Sequence, residues 1–131
     1  MTPLDIRATA AVAIALALLL TVLSLQVSRL RLRYRQTWGD GGNKDLVVAI
    51  RTHGNTLEQS LLFVLLLLLA QLAGVGHGLA AALGGAFVVA RLLYGVAVWA
   101  RRLPLRQLAH LATVACQLGA VGVLARAVWA L

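Results

Sequence analysis

Four long apolar runs, separated by short polar stretches, set the pattern of this chain. Each run is about the twenty residues that cross ~30 Å of hydrocarbon at ~1.5 Å per residue. The pattern predicts an all-α membrane protein, one domain of four transmembrane helices, with spans over about 8–28, 45–74, 79–100 and 107–130. The first run, "ATAAVAIALALLLTVLSLQV", is long for the apolar region of a secretory signal. It lacks a clear small-residue cleavage site, so it reads as a retained helix. Glycines in "YRQTWGDGGNKD" and "GVGHG" mark turns, Asn43 or Asp45 is placed to cap the second helix, and Pro104 in "RRLPLR" is expected to break the chain before the fourth.

Composition agrees with the pattern. The chain is 61% hydrophobic and 12% charged, with a mean hydropathy of +0.89. A soluble domain of this length needs more polar surface. The net charge of +8 does not indicate nucleic acid, because the basic residues sit in short loops and at the ends of apolar runs. There they act as topology signals and lipid-headgroup contacts. The loop after span one carries Arg29, Arg31, Arg33, Arg35 and Lys44, and the loop after span three carries Arg101, Arg102 and Arg106. The positive-inside rule therefore predicts a multi-pass protein of the inner (plasma) membrane with loops one and three cytoplasmic and both termini outside. The single cysteine, Cys116, lies in an apolar run and reads as a packing residue. No metal site is expected, since His53, His77 and His110 fall on different elements.

The chemistry gathers in "RTHGNTLEQS". Arg51, Asn55 and Glu58 are spaced i, i+4, i+7 and share one edge of a helix, within about 60° of one another. A lone Arg there would snorkel to headgroups, but Asn and Glu gain nothing from lipid. The stripe is expected to face the bundle interior. Arg91 enters span three from the same side and is a candidate ion-pair partner for Glu58, with Tyr94 one turn on. With the rim arginines Arg29, Arg31, Arg101, Arg102 and Arg106, these residues suit a small anionic ligand that carries one amine, since Arg forks grip carboxylates. A lipid-facing groove would admit a second, lipophilic substrate. Ala81/Gly85 and Ala115/Gly119 are small-x-x-x-small pairs that allow close helix contact.

The stretch "RTHGNTLEQSLLF" resembles the R-x-x-x-N-x-x-E signature of the membrane-associated proteins in eicosanoid and glutathione metabolism, the MAPEG family. "SLQVSRLR" closing span one, "ARLLYG" in span three and a basic loop before span four fall in the same order. The resemblance implies a homotrimer of four-helix protomers that binds glutathione, as co-substrate, between subunits. Arg51, Asn55 and Glu58 would hold its charged ends. His53, Arg91 and Tyr94 would contact it, with Arg31, or Arg29 if the register slips, at the end of span one. Arg106 matches the Arg beside the glutathione sulfur if one residue is inserted in the preceding loop. Arg106, Arg31 and Tyr94 are then the catalytic candidates of a membrane glutathione S-transferase or peroxidase. Gln59 and Val98 stand where several eicosanoid enzymes carry Tyr, so eicosanoid substrates do not carry over. Two other readings remain open: a small proton-coupled multidrug-type transporter using Glu58, and a non-catalytic membrane scaffold.

Overall fold

The computed structural model describes residues 4–130. They form four helices, α1 (Arg7–Tyr34), α2 (Lys44–Leu72), α3 (His77–Trp99) and α4 (Leu103–Trp129). Each is long and apolar enough to cross a membrane, and the chain is an all-α, multi-pass four-helix membrane protein. Successive helices run antiparallel. α1 packs on α2 and α3, and α4 packs on α3 and α2.

Local chemistry fixes the ends. Asn43 caps α2, its side-chain oxygen accepting from the Leu46 N–H at 3.0 Å. Asp45, the other candidate, is already helical. It accepts from the Tyr34 hydroxyl at 2.8 Å and from Arg101 at 2.7 Å, tying three chain segments together. α2 and α3 both close with paired backbone bonds around a left-handed residue: Gly74 (φ 99°) after α2 and Arg101 (φ 56°) after α3. Pro104 does not break the chain. It lies in the first turn of α4, where its missing N–H would have no helical partner anyway, so the helix begins at Leu103. Ahead of α1, the hydrogen bond from Arg7 to Asp5 holds that exposed carboxyl down at about 2.

The core joins Ala8, Val12 and Leu16 of α1 to Phe63 and Leu67 of α2, Ala80 and Phe87 of α3, and Ala120 of α4. Phe63 and Phe87 stack with centroids 4.0 Å apart. Nearby, the Thr9 hydroxyl and N–H both donate to Gln71 Oε1, pinning the start of α1 to the end of α2. The close helix approach on α3 uses Ala80 and Gly84 rather than the expected Ala81 and Gly85. A Cβ at Gly84 would strike the Val12 side chain, whereas one at Gly85 would meet open space. On α4, Gly119 does meet a neighbour, Leu83, but Ala115 is exposed. The two registers differ by one residue, about 100° of helix, and the buried face continues from Ala80 and Gly84 through Phe87, Arg91 and Tyr94.

Candidate functional site

The polar centre of the bundle is Arg91, which is fully buried on α3. Ala80, Gly84, Phe87, Ala90, Tyr94 and Ala97 form the buried face of that helix, and Arg91 lies along it. A cation at this depth needs partners, because an unpaired one in hydrocarbon costs at least ~2.5 kcal/mol even on insertion scales. Its Nη2 donates to Asn55 Oδ1 at 2.8 Å and to Thr56 Oγ1 at 2.6 Å. Its Nη1 reaches Thr113 Oγ1 at a long 3.5 Å. The Thr113 hydroxyl itself donates to the Ala109 carbonyl, leaving its lone pairs toward the guanidinium. The Tyr94 ring lies 4.3 Å below the guanidinium carbon, a cation–π contact. Among the described residues Arg91 Nε has no hydrogen-bond partner.

Among the described residues no carboxylate joins this cluster, so the expected Glu58–Arg91 ion pair does not form. The reason is the rotation of α2. Its buried face runs through Thr52, Thr56, Ser60, Phe63 and Leu67. Glu58 lies about 200° around the helix from Thr56. Arg51 and Glu58 are exposed on this chain and Asn55 is half-buried. The stripe therefore faces out of the single bundle, with Asn55 bridging from it to Arg91. Among the described residues Glu58 makes no ion pair. Gln59 points the other way and accepts from Gln117 of α4 at 2.6 Å, a second link between α2 and α4.

Two recesses open near the end of the bundle where α2 and α4 begin. The first, about 560 Å³, is edged by Arg29, Arg33, Lys44, Arg101, Arg102 and Arg106. The second, about 600 Å³, is lined by Asn55, Tyr94, Arg106, Gln107 and His110 with Leu103 and Leu111. Arg106 stands on both. Of the residues singled out in sequence, the fold thus brings Asn55, Arg91, Tyr94 and Arg106 together. Arg29 borders the other recess. Arg51, His53 and Glu58 line neither. Arg31 is turned into the α1–α2 loop, where Nη1 donates to the carbonyls of Gln36 at 3.1 Å and Gly39 at 2.6 Å.

Thr56 and Thr113, which hold Arg91, escaped the sequence reading, and His110, one turn beyond Arg106, was weighed there only as a metal ligand. The spacing of Thr52, Thr56, Ser60, Phe63 and Leu67 carried the signal for the first: small hydroxyls continuing an apolar stripe mark a buried face. Among the described residues no three His, Cys, Asp or Glu side chains converge as metal ligands.

No curated protein matches this chain. The MAPEG family model matches residues 9–126, nearly the whole length. That span reaches from the first turn of α1 to the last turn of α4 and contains the R-x-x-x-N-x-x-E stripe and the Arg91–Tyr94 pair. The chain belongs to the MAPEG family, four-helix membrane proteins tied to glutathione metabolism.

Proposed function

We propose that this protein binds glutathione and uses its thiolate to attack a lipophilic electrophile or to reduce a hydroperoxide. One observation carries the reading: Asn55, which is on the signature stripe, is hydrogen-bonded to Arg91 and shares a recess with Tyr94 and Arg106. On this reading Arg51, Asn55 and Glu58 take the charged ends of the tripeptide, and His53 and Arg91 support them. Arg106 faces the sulfur, with Arg31 second, and Arg29 lies at the edge of the site.

The thiolate, not the thiol, is the nucleophile. An Arg next to the sulfur, at a site shielded from bulk water, favours the charged form and lowers the thiol pKa. Tyr94 donates a hydrogen bond to the ligand or to developing negative charge. Conjugation then forms a carbon–sulfur bond as the leaving group departs with its electron pair. Holding both reactants in one groove supplies much of the rate.

Glu58 is fourteen residues into α2, roughly 21 Å along the helix. An exposed carboxylate at that depth is costly against lipid and inexpensive at a polar subunit boundary. This favours assembly of several copies, three on the family pattern, with the Arg51–Glu58 edge completed by a neighbour. The basic loops then face the cytoplasm. The unpaired Glu58 is also what a proton-coupled transporter would need, but Arg51 and the basic rim repel its cationic substrates.

Calorimetry with glutathione, in detergent and in lipid bilayers, tests the reading. Binding is expected, together with turnover of a generic aryl halide or an organic hydroperoxide. Absence of binding in every medium would remove the proposal. Proton-coupled efflux of a quaternary ammonium compound would replace it with the transporter.

A further inference from the structure

We propose that the first recess, between the C-terminal half of α1 and the adjoining ends of α2, α3 and α4, is a binding site for one anionic phospholipid. Its phosphate would lie among Arg33, Lys44 and Arg102, and an acyl chain along the apolar wall beneath them. The recess shares Arg106 with the one proposed for glutathione and is bordered by Arg29, but the phosphate position uses neither residue.

Three observations carry it. First, α1 leaves the bundle over this stretch: it buries Ala8, Thr9, Val12, Leu16 and then only Leu30, and Leu23 and Gln26 of the intervening turns line the recess. Second, the facing wall is small. Gly95, Ala97 and Val98 line it, and a Cβ at Gly95 would meet nothing within 4 Å. The cleft is therefore a half-open recess of about 560 Å³ that the small side chains of this wall leave unfilled. Third, its charge is unbalanced. Six cationic side chains border the recess and Asp45 is its one carboxylate, already engaged by Arg101 and Tyr34.

Loop charges that only set topology have no need to converge on a cleft. A cleft with a cationic lip and an apolar floor matches an amphiphile whose own charge is negative. Arginine forks and a lysine point charge together satisfy phosphate oxygens, and the floor of Leu23, Leu30, Val48 and Val98 satisfies an acyl chain. A zwitterionic headgroup would bring its own cation into the same lip and be disfavoured. Each Lys or Arg at the membrane surface adds to the attraction for anionic lipid.

The test is native mass spectrometry of protein released from nanodiscs of equal phosphatidylglycerol and phosphatidylcholine. One retained phosphatidylglycerol per chain is expected, with little phosphatidylcholine. Arg33→Gln/Lys44→Gln/Arg102→Gln should lower that retention on the order of a hundredfold. Gly95→Leu, which fills the floor without touching a charge, should also lower it. Arg33→Lys/Arg102→Lys, which keeps the charge and reports on folding, should retain the lipid, as should Arg35→Gln/Arg126→Gln outside the recess. Equal retention of the two lipids, or equal loss in the Arg35/Arg126 variant, would overturn the proposal. So would thermal stabilisation of lipid-free protein by glycerol 1-phosphate at the concentration at which phosphatidylglycerol acts, since the occupant would then be a soluble phosphate ester.

Discussion

Arg91 of α3 donates to Asn55 of α2 at 2.8 Å, and this bond couples the interior of the bundle to its signature edge. Arg91 is fully buried, and Asn55 is half-buried on the side of α2 that carries Arg51 and Glu58. Amide and hydroxyl oxygens and the Tyr94 ring hold this cation without a neutralising carboxylate, just behind the recess that Asn55 and Tyr94 line. The same arrangement makes the neutral acceptors structurally important, because each lost acceptor leaves more of the charge unsatisfied.

Thr56→Val should therefore destabilise the protein. The substitution preserves shape but removes the acceptor 2.6 Å from Arg91 Nη2. Hydrogen bonds to charged groups contribute about 1.5–3 kcal/mol, and that loss is expected in unfolding measurements in detergent. Thr56→Val combined with Arg91→Met should recover most of it, since a buried charge and its partner can be replaced together at little cost. A double variant no more stable than Thr56→Val alone would show that Arg91 is held by something other than these oxygens.

Arg51→Ala and Glu58→Gln should behave in the opposite manner. Both side chains are exposed on the chain and neither makes a hydrogen bond within it, among the described residues, so protomer stability should change little. Glutathione binding should weaken by roughly tenfold to a hundredfold for each, the worth of a charge-assisted contact. Calorimetry and thermal unfolding on the same samples separate the two effects. If unfolding shifts as much as binding, these residues are structural.

Arg106→Ala should raise the pKa of bound glutathione. A guanidinium close to the sulfur depresses the thiol pKa by about 1–3 units, so its removal moves ionisation to higher pH and lowers the thiolate fraction at neutral pH. The ultraviolet absorbance of the bound thiolate, followed against pH, reads this directly. Arg106→Lys should restore part of the shift. A titration unmoved in Arg106→Ala would pass the role to Arg31, although its guanidinium is engaged with the loop carbonyls.

The four spans were legible in sequence because length and apolar content alone decide them. The polar stripe was legible as a stripe, because i, i+4, i+7 spacing is geometry. Its direction was not. Arg51, Asn55 and Glu58 looked like an interior face because charge in an apolar helix usually turns away from lipid. What turned α2 was the competing stripe of Thr52, Thr56, Ser60, Phe63 and Leu67, which buries the Thr56 hydroxyl against Arg91 and the Phe63 ring against Phe87. Arg91 looked like a partner for a carboxylate because opposite charge is the commonest answer to a buried cation. Three neutral oxygens and a tyrosine ring are a less common answer that spacing along one helix does not reveal. Pro104 misled for a simpler reason: the first turn of a helix tolerates what its interior does not.

The one-residue register of α3 gives the last prediction. Gly84 lies against Val12 of α1, with Leu67 of α2 close by, while Gly85 faces open space. Gly84→Ala must displace the Val12 side chain and should cost about 1–3 kcal/mol of stability, the usual penalty for overpacking a filled core. Gly85→Ala adds a methyl where nothing opposes it within the chain. It also removes the backbone freedom that glycine retains when unfolded, so the protomer should be unchanged or stabilised by about 0.5–1 kcal/mol. Unfolding of the two variants in detergent, at a dilution where copies separate, measures each directly. If Gly85→Ala is harmless to the protomer yet prevents copies from associating, the exposed face of α3 carries the subunit contact. If Gly84→Ala is harmless instead, α1 does not pack on α3 through this glycine and the packing register described here is wrong.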